Sequence, residues 1–178
     1  MNRNVLVALA LTTWATQVGA QSPLPTVDPL IGTWKQDTAQ STYSPAENRP
    51  PKGWYAVRQY EAGGDGSIVA ITMNVDPQGL PSLRAISAAN YDGKEYPQYT
   101  VETLAMSLSS HVGPRIDRTI SYTRVDSYTV LIVQRQGGAM IAKSTRTISR
   151  DGKTMTDRSD YVNAAGRHVT DVLVFEKQ

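Results

Sequence analysis

Arg124, Arg146 and Asp157, with Tyr122 close by, are the residues of this sequence whose types suit the capture of a charged group. A guanidinium presents planar donors that match an anionic or polar head group, and two of them strengthen the match. The same residues also suit a structural role. Arg146 and Asp157 would neutralise each other inside a core, because buried charges must be paired. The residues alone leave both readings open.

Other chemistry is sparse. The chain has no cysteine, which excludes disulfides, thiolate catalysis and cysteine-ligated zinc. Its two histidines, His111 and His168, are far apart and lack the spacing of a metal motif. Ser109-Ser110-His111 places serine beside histidine in sequence, which says nothing about a triad in space. No G-x-S-x-G, P-loop or dinucleotide fingerprint occurs. No catalytic residue, metal or cofactor is therefore assigned, and a non-enzymatic protein is expected. The formal net charge is +2 with mixed signs along the chain, no footprint for nucleic acid or an anionic membrane.

The first twenty residues read as a secretory signal peptide. Arg3 supplies the positive start, Val5 to Leu11 the apolar core, and Val18-Gly19-Ala20 the small residues for cleavage after Ala20. The apolar run is too short to span a bilayer as a helix. Residues 21–29 are polar and proline-bearing, a flexible leader, and residues 30–178 form one domain. A periplasmic or secreted protein is expected, with no integral span after cleavage.

From Leu30 the pattern is that of an all-β chain, with a period of two and recurrent turn signals. Strands are expected near 31–36, 54–61, 67–75, 83–91, 117–125, 128–136, 139–149, 154–162 and 168–177. Short connectors such as Asp92-Gly93, Gly137-Gly138 and Asp151-Gly152 join neighbours into an antiparallel up-and-down meander. A long meander must close to hide its edges, which implies a barrel of about eight to ten strands. Residues 37–53 allow one helical turn near Thr38–Tyr43. Residues 97–116 form an excursion in which Val101, Leu104, Ala105 and Leu108 fit a helix, and Leu104, Met106 and Leu108 equally fit a strand.

Turn lengths predict the register of the C-terminal sheet. A two-residue Asp151-Gly152 loop sets Arg146 opposite Asp157 and Ile148 opposite Met155. Two-residue loops at Gly137-Gly138 and Asp126-Ser127 set Thr129 opposite Arg146 and Arg124 opposite Thr129. Asp126-Ser127 is the weakest of these turns, since a type I′ turn wants glycine second. The last loop, with Gly166 in the left-handed conformation, brings Leu173 beside Asp157 and Phe175 beside Met155. One face then carries Ile120, Tyr122, Leu131, Val133, Met140, Ala142, Ile148, Met155 and Tyr161, and is taken as inward. The row Arg124, Thr129, Arg146 and Asp157 shares it. On the 83–91 strand, Ala85, Ser87, Ala89 and Tyr91 share one face; pointing inward, such small side chains would leave lumen volume unfilled. Trp54, Tyr60 or the 97–116 excursion could equally fill that space.

Leu30-Ile31-Gly32-Thr33-Trp34-Lys35 resembles the G-x-W opening strand of the calycins, the lipocalins and fatty-acid-binding proteins. Val174-Phe175-Glu176-Lys177 resembles the last strand of the fatty-acid-binding group. Gly32 to Lys35, Ser41 to Pro45, Tyr91 to Lys94 and Asp151 to Thr156 together are similar to a set of small exported bacterial proteins. The calycin resemblance implies a lipocalin-like barrel whose closed end is plugged by Trp34, with Lys177 where lipocalins commonly stack an arginine. It also implies a small-ligand pocket. The Arg-x-Tyr that anchors a carboxylate in the fatty-acid-binding last strand is Leu173 and Phe175 here, and the two-helix lid is replaced by a proline-rich stretch. Any carboxylate would have to be held from other strands.

The function expected from sequence is that of an exported binding protein for a small apolar or amphipathic ligand, with Tyr122, Arg124, Arg146 and Asp157 as ligand-binding residues. The alternative is an envelope structural or interaction protein with a filled barrel and no ligand.

Overall fold

A computed structural model describes residues 27–101, 117–163 and 165–178. The signal-peptide segment, His111 and most of the 97–116 excursion lie outside the described residues. Ten antiparallel strands form a closed barrel: β1 (Gly32–Thr42), β2 (Tyr55–Ala62), β3 (Ile68–Val75), β4 (Pro81–Ala89), β5 (Tyr96–Thr100), β6 (Arg118–Arg124), β7 (Thr129–Gln136), β8 (Ala139–Ile148), β9 (Thr154–Val162) and β10 (His168–Lys177). Each strand pairs with the next, and β10 returns to pair with β1, so no sheet edge is left open.

The turns have a common cause. The carboxylates of Asp65, Asp76, Asp126 and Asp151 each accept the backbone N–H two residues on. The Asn163 side chain likewise accepts the Arg167 N–H. A side chain that imitates a backbone turn in this way is why Asp and Asn punctuate the strands.

Two stretches differ from the sequence expectation. No helical turn forms over Thr38–Tyr43. Instead β1 continues to Thr42 through an irregularity against β10, where the Asp37 carboxylate accepts the Ala39 and Gln40 N–H groups. A single 3₁₀ turn lies further on, at Ala46–Asn48. The excursion begins with β5, an additional strand that pairs with β4 and β6.

Register is as expected in β8, β9 and β10. Arg146 faces Asp157, Ile148 faces Met155, Leu173 faces Asp157 and Phe175 faces Met155. In β7 it is shifted by one residue, for two reasons. The β6–β7 loop closes with Val125 N–H bonded to Thr129 O, so three residues turn rather than two. A bulge at Ile141 then inserts one residue into β8: Arg135 still faces Met140, but Gln134 faces Ala142. The two shifts cancel for β6 and β8 and flip β7 alone. Val130 and Ile132 are consequently buried, and Leu131 and Val133 leave the inner face. Thr129 faces Thr147 instead of Arg146, and Met140 is exposed.

The closed end is a solid core. Leu30, Trp34, Tyr60, Ile68, Ala70, Ile148, Met155 and Phe175 pack together, with Trp34, Met155 and Phe175 wholly buried. The Trp34 indole N–H donates to Leu30 O at 2.8 Å. Lys177 Nζ sits 5.1 Å over the Trp34 ring, in the place the resemblance assigned to it. Gly32 adopts φ +133°, and a Cβ there would meet Lys177 Cε at 2.7 Å. Gly32→Ala is expected to destabilise the barrel by about 1–3 kcal/mol through backbone strain at positive φ. Urea unfolding measures it, and an unchanged midpoint would contradict this role of Gly32.

Candidate ligand-binding site

Above the closed-end core the barrel is not filled. A cavity of about 500 Å³ runs among strands β2 to β10. Small side chains leave the space: Ala70 on β3, Ala85 and Ser87 on β4, Ala142 and Ser144 on β8, and Ser159 on β9 all line it. Of the two faces the 83–91 alternation allows, the one with Ala85, Ser87 and Ala89 is inward, with Ser87 and Ala89 buried.

The inner end of the cavity is charged. Arg146 on β8 and Asp157 on β9 are cross-strand partners, and Arg146 Nη2 donates to Asp157 Oδ2 at 2.6 Å. Arg58 on β2 reaches across the lumen, and its Nη1 donates to the same carboxylate oxygen. Asp157 is 1% exposed and Arg146 6% exposed, so the group is out of water. Two guanidiniums on one carboxylate leave an excess of one positive charge. Aromatic rings carry part of it: Arg58 lies 4.5 Å over Phe175 and Arg146 5.1 Å over Tyr60.

The protonation states follow from this arrangement. Burial alone would raise the Asp157 carboxyl, but Arg146 and Arg58 outweigh it and hold the group well below the usual carboxylate range. Burial opposes the charge on Arg146; Tyr60, Asp157 and Tyr122 more than offset it and keep the guanidinium charged. Burial, with Tyr60 nearby, pushes the Tyr122 hydroxyl up to about 12, so it stays a neutral O–H beside Ser87.

The arrangement is incomplete in one respect. Arg146 Nε and Nη1 are buried and have no hydrogen-bond partner among the described residues. Buried donors are nearly always satisfied, and leaving them unmade is costly. Arg146 lines the cavity and carries the uncompensated positive charge; its two unpartnered nitrogens are closed over by protein, so an anion meets them only after a small shift of the side chain.

Of the four residues read from sequence, Tyr122, Arg146 and Asp157 line one cavity. Arg124 does not line it. Its guanidinium pairs with Asp28, stacks 3.8 Å over Tyr91 and donates to Ser127 O at 3.3 Å. Asp28 belongs to the stretch read as leader, and its carboxylate neutralises Arg124 where no lumen remains. Arg58 is the site residue that sequence reasoning misses. The available signal is its alternation with Tyr60 on β2; its register partner on β1 is the buried Trp34. Among the described residues no group of three or more His, Asp or Glu is placed to hold a metal.

Replacing Asp157 with Asn would leave two buried guanidiniums without a counter-charge, at a cost of roughly 3–5 kcal/mol. The pH dependence carries the sign. A carboxylate held low in the folded state stabilises fully above the ordinary carboxylate range, and that contribution is lost as pH falls toward the folded value. Wild type should therefore lose more stability than Asp157→Asn between about pH 5 and pH 2. Urea midpoints across that range measure it, and parallel curves would contradict the assigned role.

No family model and no curated protein sequence matches the chain. Solved structures are similar in fold. The wild-type fluorescent protein UnaG aligns with a TM-score of 0.50 at 12% identity, over 84% of this chain and 97% of that one. An asparagine-to-glutamine mutant of UnaG aligns with a TM-score of 0.51 at 12% identity, over 84% and 96%. A zebrafish ileal bile acid-binding protein complexed with cholic acid aligns with a TM-score of 0.48 at 16% identity, over 84% and 99%. The likeness to UnaG agrees with the G-x-W strand, the ten-strand meander and the β1–β10 closure: the chain has the fold of the fatty-acid-binding-protein-like calycin barrels.

Proposed function

We propose that this protein is an exported binding protein that holds a small amphipathic molecule in the barrel lumen, with an acidic head group at Arg146. The observation that carries the reading is the Arg146 side chain, with two nitrogens that have no hydrogen-bond partner among the described residues, in the lining of a cavity of about 500 Å³. A cavity of that size is in the range of small-molecule sites. An anionic head would satisfy the free donors and neutralise the excess charge of the Arg58–Asp157–Arg146 group. The tail would lie along Ile120, Ile132, Ile141 and Leu173, which also line the cavity. The rival reading, a structural protein with a filled barrel, has no use for this space or for the free donors.

Export rests on the N-terminal pattern of Arg3, Val5 to Leu11 and Val18-Gly19-Ala20. The mass of the protein from an envelope fraction should correspond to a chain starting at Gln21, and a chain retaining residues 1–20 would contradict cleavage.

Dodecanoate is a suitable first probe. Calorimetric titration should show saturable binding, and Arg146→Met should weaken it roughly ten- to a hundredfold, the loss of a charge-assisted hydrogen bond. Arg58 still pairs with Asp157 in that variant, so the fold is retained. Absence of binding to wild type, together with empty protein in native mass spectra of envelope preparations, would contradict the reading.

A further inference from the structure

The cavity has a second cationic end. Arg118 opens β6 on the same inner face as Ile120 and Tyr122, and its Nε is buried without a hydrogen-bond partner among the described residues. It lies four residues before Tyr122, about 13 Å along the strand and away from the closed-end core. Gln98 on β5 and Gln134 on β7 line the same part of the cavity, and Gln98 is buried. No carboxylate is bonded to Arg118 among the described residues. Asp171, which lines the cavity from β10, is already engaged: it accepts the Ser44 N–H at 3.1 Å and the Tyr161 O–H at 2.7 Å.

A simple fatty acid leaves this end unexplained. Its tail would place methylenes against a buried guanidinium N–H and two amides, none of which a hydrocarbon can satisfy. The charges agree with that difficulty. Among the described residues Arg58, Arg84, Arg118 and Arg146 line the cavity against Asp157 and Asp171, an excess of two cations, with Arg84 solvent-exposed.

Resting on the binding reading above, we infer that the ligand is acidic at both ends: an elongated dianion such as an α,ω-dicarboxylate, one carboxylate at Arg146 and the other at Arg118. The span between the two anchors selects for length. The Gln98 and Gln134 amides add donors around the outer carboxylate, and Ile120 and Ile132 offer apolar contact to the connecting chain within an otherwise mixed lining.

The test compares dodecanedioate, its monomethyl ester and dodecanoate by calorimetric titration of the full chain. Dodecanedioate should bind about tenfold or more tightly than either monoanion, the value of one charge-assisted hydrogen bond. Arg118→Met should abolish that difference without weakening dodecanoate binding, and Arg118→Lys should retain part of it. Shortening the dianion to hexanedioate should remove the advantage. Equal affinities of the three probes for wild type would overturn the inference, whatever the variants do, while leaving dodecanoate binding at Arg146 intact. Failure of all three to bind would overturn the binding reading and this inference together.

Discussion

Asp157 holds two guanidiniums in the middle of a β-barrel, and most of the rest of the site follows from that contact. A buried carboxylate is tolerated when it is paired. Here it is paired twice, by Arg146 from the adjacent strand and by Arg58 from across the lumen. The double pairing spans β2, β8 and β9 and so ties together strands on the two sides of the β1–β10 seam. It also leaves one positive charge over and two N–H donors free. A group built only for stability would match its charges and use its donors.

The barrel supplies the conditions under which that excess is useful. Trp34, Met155 and Phe175 fill the closed end and exclude water from one side of the charged group. Short side chains on β3, β4, β8 and β9 keep the other side open. The strands converge these groups because a closed meander brings the first and last elements together, so that β2 and β9 flank the β1–β10 seam. A group drawn from strands far apart in sequence is thereby held on rigid sheet rather than on loops, and a preorganised donor gives up little freedom when a ligand arrives.

The fold is legible in the sequence because its signals are local. Period-two alternation, Asp and Gly at the turns, and the G-x-W strand each act over a few residues, and they specify the antiparallel barrel and the Arg146–Asp157 pair. What the sequence hides depends on one-residue events. The Tyr128 position in a three-residue loop and the bulge at Ile141 have no distinct sequence mark, yet together they turn β7 over and send Leu131 and Val133 off the inner face. Arg146 stays inward because the two shifts cancel. Arg124 alternates with Tyr122 and so reads as a lumen residue. Its partner, Asp28, lies 96 residues earlier in a stretch with no strand pattern, and nothing local announces the contact. Arg58 escapes sequence reasoning for the same reason: its partner is 99 residues away. Packing across a barrel is non-local, and charge pairs formed that way are the last feature a single sequence discloses.

On the proposed binding reading, the chemistry of the site is an electrostatic imbalance. The site has a cation in excess, donors without a partner among the described residues and a cavity of mixed lining with Ile120, Ile132, Ile141 and Leu173 on its walls. The most direct measurement is a crystal structure of the protein saturated with dodecanoate. The carboxylate is expected within hydrogen-bond distance of Arg146 Nε or Nη1, with the Arg58–Asp157–Arg146 group unbroken. Dodecanoate bound elsewhere, with both Arg146 nitrogens still unpartnered, would contradict the assignment of the lumen as an acid-binding site.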